Sequence, residues 1–182
     1  MKLVLLAARC GVVFLIGAIY SAPVYATCYS ATCDLGPSIP CEQLVYNNSF
    51  NNENCGAWVH TSWVSVVTAP SSYASFSGSS SSAWMYQSVF VPTGYTSRTI
   101  NVDIENRGSG SSTARLHVEI RSSTNVLLET LEIFSPTDAD GFYQFTPANY
   151  GGSNVRVRFL YVPGATPGDA EFRLRYVDYY LG

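Results

Sequence analysis

Few side chains in this sequence are equipped to move a proton or attack a bond. There are two histidines, His60 and His117, against thirteen carboxylates. Hydrolysis by a Ser-His-Asp set needs a serine on a strained turn with a base in hydrogen-bond reach, and no such turn motif is present. Both histidines fall instead inside runs of alternating apolar and polar residues. His117 lies between Arg115 and Glu119 on the polar parity and reads as a surface residue; His60 shares its parity with Trp58 and reads as structural. Two carboxylates could cut a glycosidic bond, yet thirteen acids single out no pair. The chain is read as a non-enzyme.

Cysteine chemistry is better placed. Cys28, Cys33, Cys41 and Cys55 follow one another within a short span. Structural zinc sites favour cysteine pairs separated by two residues, a spacing that no pair here has. Disulfides are the expectation, because an even set of cysteines suits an oxidising compartment. Three pairings are open, and sequence does not choose among them. The compartment follows from residues 1–26, read as a signal peptide. Lys2 and Arg9 supply positive charge, Cys10 to Tyr20 form a short apolar run, and Val24-Tyr25-Ala26 offers small or apolar residues at a cleavage site. The run is too short for an anchor. The mature chain is therefore expected to be secreted, extracellular or periplasmic, with no membrane span.

Strands are the elements that must position whatever this chain binds with. Ile100, Val102 and Ile104 share one parity, with Asn101, Asp103 and Glu105 on the other. The same alternation runs through Leu116, Val118 and Ile120, through Val155, Val157, Phe159 and Tyr161, and through Phe172, Leu174 and Tyr176. A period of two gives one dry and one wet face, which is the pattern of a half-buried strand. Turn signals such as Pro92-Thr93-Gly94, Arg107-Gly108-Ser109-Gly110 and Gly151-Gly152 separate about nine or ten such runs. Residues 71–83 are Ser-rich and read as a loop or an irregular edge strand carrying Tyr73 and Phe76. No run has helical spacing. The fold class expected is all-β, a two-sheet antiparallel β-sandwich (jelly roll) over 45–182, preceded by a disulfide-stapled, Cys-rich arm over 27–44.

Charge narrows the partners. Loss of Lys2 and Arg9 leaves eight basic residues, all arginine, against thirteen acidic ones, a formal charge of −5. That balance disfavours nucleic acid. The arginines and acids that alternate on the outward parity are expected to form cross-strand charge pairs.

Three segments carry a family resemblance. Asn47-Asn48-Ser49-Phe50-Asn51, followed by Cys55-Gly56-Ala57-Trp58, resembles the opening of the cellulose- and xylan-binding jelly-roll modules. Met85-x-Gln87-x-Val89-x-Val91-Pro92-x-Gly94-Tyr95 is similar to their middle strand and its turn, and Asp178-Tyr179-Tyr180-Leu181 to their last strand. The resemblance covers about residues 45–182 and implies a galactose-binding-like sandwich that binds an extracellular polysaccharide or other glycan without catalysis. The alternative is a structural or adhesive extracellular protein with no sugar ligand.

What the resemblance implies for sites is specific. A structural calcium ion would bridge the first and last strands through Asn51 and Asp178, with Asn51 standing where a carboxylate is frequent. Met85, Gln87, Val89 and Val91 match the core-facing parity, which leaves Trp84 and Tyr86 on the outward face as the glycan contact. Aromatic faces stack on the C–H faces of sugars. Trp58 is expected to plug the core.

Overall fold

The computed structural model describes residues 42–45, 50, 58–68, 71–77 and 80–182. Eleven strands are found there and no helix: β1 (Glu42–Gln43), β2 (Val59–His60), β3 (Val64–Val67), β4 (Tyr73–Ser77), β5 (Ala83–Val91), β6 (Arg98–Gly108), β7 (Arg115–Ser122), β8 (Leu127–Phe134), β9 (Gly141–Phe145), β10 (Ser153–Val162) and β11 (Ala170–Leu181). They form two antiparallel sheets. The first runs β3-β4-β11-β6-β9, with β1 paired to the far end of β11, and the second runs β2-β5-β10-β7-β8. This is the all-β sandwich expected. The signal segment 1–26 and the four cysteines lie outside the described residues.

Alternation builds the layer between the sheets. Met85, Val157, Phe159, Leu116 and Ile120 from the second sheet are fully buried, as are Ile100, Val102, Ile104, Phe172 and Leu174 from the first. Ring contacts tie the layers together: Tyr161 of β10 meets Phe172 of β11 edge-on at 6.1 Å, and Phe134 of β8 meets Tyr143 of β9 at 4.6 Å. Burying each such side chain stabilises the fold by about 1.5–3 kcal/mol relative to leaving it exposed. Trp58 plugs this core as expected, 5.5 Å from the Phe50 ring and 6.0 Å from Phe159.

Two local readings are corrected. Residues 73–77 form a regular strand, and it is interior: β4 pairs with β3 on one side and β11 on the other. Ala74, Ser75 and Phe76 are all buried there, so its serines mark a crowded position and not a solvated loop. Tyr176 also leaves the core parity. The register of β11 against β6 slips between Leu174 and Tyr176; the extra residue, Arg175, turns Tyr176 outward and hands the core positions to Val177, Tyr179 and Leu181.

Candidate functional site

The outer face of the second sheet gathers the residues most able to bind. On β5 the alternation buries Ala83, Met85, Gln87, Val89 and Val91 and turns Trp84, Tyr86, Ser88 and Phe90 outward. β10 runs between β5 and β7, and its register lines up three cross-strand rows. Trp84, Leu160 and His117 form one row, Tyr86, Arg158 and Glu119 the next, and Ser88, Arg156 and Arg121 the third. Trp84 is also pinned through its backbone, which donates to Thr61 Oγ1 at 3.2 Å while its carbonyl accepts from Thr61 N at 3.0 Å.

Trp84 and Tyr86 are half-buried, with ring centroids 5.5 Å apart and planes inclined by 29°. Guanidinium groups cover them diagonally, in the manner of cation–π contacts. The Arg156 guanidinium carbon lies 4.6 Å from the Tyr86 centroid, and that of Arg158 lies 5.9 Å from the Trp84 ring. These four side chains and Asn125 line an open depression of about 170 Å³. Asn125 arrives there by turn chemistry. It closes the β7–β8 hairpin at φ 69°, a backbone conformation that asparagine tolerates better than most residues. Its carbonyl accepts a hydrogen bond from Arg121 Nη1 at 2.8 Å.

The ion pairs recorded on this face converge on one carboxylate. Glu119 is only 3% exposed despite its outward parity. Arg121 Nε donates to it at 2.7 Å, Arg158 Nη1 lies at 3.5 Å and His117 Nδ1 at 4.0 Å. Arg156 stands directly opposite Arg121 in the register, and its buried Nε has no hydrogen-bond partner among the described residues. Burial, and then the neighbouring Arg121 charge, push the Arg158 guanidinium below its ordinary value, with Glu119 opposing them.

The first sheet's outer face carries the same residue types differently paired. Arg107 pairs with Glu105, Arg173 with Glu171 at 2.7 Å and Arg175 with Asp103 at 2.9 Å. The cross-strand pairing expected from sequence holds there, one acid to each arginine. An exposed ring also lies on this face: Phe142 is 64% exposed and sits 5.6 Å from Tyr176.

The remaining candidates are scattered. Asp178 is buried, and its Oδ1 accepts from Asn101 Nδ2 at 2.8 Å and Asn101 N at 3.2 Å. Burial raises its pKa, against hydrogen bonds from Tyr176 and Asn101. Asn51 lies outside the described residues, and no group of three His, Cys, Asp or Glu able to hold a metal occurs among them. Around Asp178 the recorded partners are N–H and O–H donors, whereas calcium wants six to eight oxygens. His60 is exposed, its Nδ1 3.0 Å from the Thr61 carbonyl oxygen, and Trp63 is 56% exposed. The sequence reading named Trp84 and Tyr86 but missed Arg156, Arg158, Glu119 and Asn125. The arginines were visible as outward positions, but only the register shows which strand they face.

No protein-family model and no curated protein matches this sequence. Solved structures do match in fold. The module TmCBM61, determined in complex with β-1,4-galactotriose, aligns with a TM-score of 0.54 and 14% identity, over 78% of this chain and 98% of its own. A family 16 carbohydrate-binding module aligns at 0.52 and 18% identity, over 75% and 98%. The enzymatically active domain of tailspike protein 4 from bacteriophage CBA120 aligns at 0.53 and 14% identity; the alignment covers 77% of this chain but only 21% of the tailspike. The chain has the jelly-roll sandwich of the carbohydrate-binding modules.

Proposed function

We propose that this chain is a secreted, non-catalytic glycan-binding unit whose contact surface is the outer face around Trp84 and Tyr86. The observation that carries the reading is the aromatic pair itself. Two large rings stand on a sheet face, half in solvent, at the wall of a depression that also offers guanidinium and amide donors. Ring and donor together are what a sugar presents a need for, with C–H faces to stack and hydroxyls to bond. The fold adds the company it keeps, since TmCBM61 holds a galactan trisaccharide, although a fold alone does not fix a function. Secretion rests on residues 1–26.

The test is a glycan array and polysaccharide pull-down with the mature chain, repeated with Trp84→Ala and Tyr86→Ala. Each substitution should abolish retention on a responsive glycan while the protein still melts cooperatively, within a few degrees of the parent. Phe142→Ala, on the opposite sheet, should bind as the parent does. If either site variant unfolds the protein, the rings are packing and the platform is wrong. If the parent retains no glycan, the structural or adhesive reading replaces this one.

A further inference from the structure

We infer that the sugar held on this face is acidic, with a carboxylate or sulfate group seated among Arg121, Arg156 and Arg158. The inference rests on the glycan-binding reading and adds the ligand's charge. Three guanidinium groups stand in adjacent rows of the sheet, and the acidic side chain recorded against them is Glu119 alone. Like charges directly opposite on neighbouring strands destabilise a sheet, yet Arg156 faces Arg121.

Comparison within the molecule sharpens the point. On the first sheet, Arg107, Arg173 and Arg175 each have a carboxylate within ion-pair distance. The same fold with the same residue types therefore balances charge on one face and leaves it unbalanced on the other. The chain is acidic overall, so the excess is a local feature and not a general basic surface.

Arg156 is the side chain most clearly prepared for a ligand. Its guanidinium is held over Tyr86 at 4.6 Å, and its buried Nε meets no acceptor among the described residues. A guanidinium offers five N–H donors in a planar fork, which matches the paired oxygens of a carboxylate or a sulfate. The lowered pKa of Arg158, to which the Arg121 and Arg156 charges contribute after burial, agrees with positive charge that is not fully compensated. A sugar ring resting against Trp84 and Tyr86 brings a ring substituent within reach of that fork.

Titration calorimetry with polymer pairs that differ only in charge tests this. Polygalacturonate is compared with its fully methyl-esterified form, and dextran sulfate with dextran; the first pair reads a carboxylate and the second a sulfate. The mature chain should prefer the charged member of at least one pair by about tenfold or more. Added salt should erode the preference. Arg156→Gln should collapse the ratio toward one, and Arg156→Lys should keep part of it. Equal affinity for both members of both pairs overturns the inference and leaves the glycan-binding reading standing. No binding to these polymers or to any glycan on the array overturns both. A preference that survives undiminished in a folded Arg156→Gln protein also overturns it. Should that variant not fold, the parent's charged-to-neutral ratio and Arg156→Lys decide.

Discussion

Glu119 shows how much of the candidate site is decided residue by residue. Its parity points it at solvent, but the side chains of Arg121 and Arg158 close over it, and their nitrogens share Oε2. A buried carboxylate between two guanidiniums is expensive to desolvate and more expensive to break, because the partner charges are left behind. Glu119→Gln should therefore lower the unfolding free energy by about 1–3 kcal/mol in a urea titration, and an unchanged midpoint would mean that solvent already screens the cluster. Nothing in Arg115-Leu116-His117-Val118-Glu119-Ile120-Arg121 announces this role. Glu119 reads there like any wet-face acid, because its burial comes from β10, which lies more than thirty residues further along the chain.

At the level of elements, alternation was the readable signal and its interruptions were not. The core face of β5 was legible in full, since Met85, Val89 and Val91 keep strict step and nothing in the strand breaks it. β11 was legible only as far as Leu174, because a bulge costs one residue of register and leaves no mark in composition. β4 was misread for a different reason. Serine suits a turn by propensity, but β4 is fixed by two neighbouring strands, and Ser75 finds an acceptor in Glu171 at 2.8 Å. The end of β11 also bears on the calcium proposal at Asn51 and Asp178. Calcium added to chelated protein should raise the melting temperature by mass action if it binds there. An unmoved transition would leave Asp178 as a carboxylate served by Asn101 and Tyr176, and the proposal would be withdrawn.

The whole molecule combines a well-described sandwich with an amino-terminal region whose chemistry is read from sequence alone. The exported protein should begin near Thr27 and contain no free thiol, which intact mass under non-reducing conditions checks. Four alkylatable thiols, or retention of residues 1–26, would remove both the disulfide and the export readings. The sheet order carries a consequence of another kind. β11 is the last of the eleven strands in sequence, yet it lies inside its sheet, with β4 and β1 along one edge and β6 along the other. Before residues 170–181 are available, β3-β4 and β6-β9 are separate ribbons with no common partner. Each pairing that joins them spans a long stretch of chain, and such non-local closure is slow. A polypeptide emerging from its amino end consequently stays short of its native state until β11 has been made. For a chain led by an export signal, that delay keeps it threadable through a narrow channel, and the order of the strands serves as a clock that holds folding back until the far side.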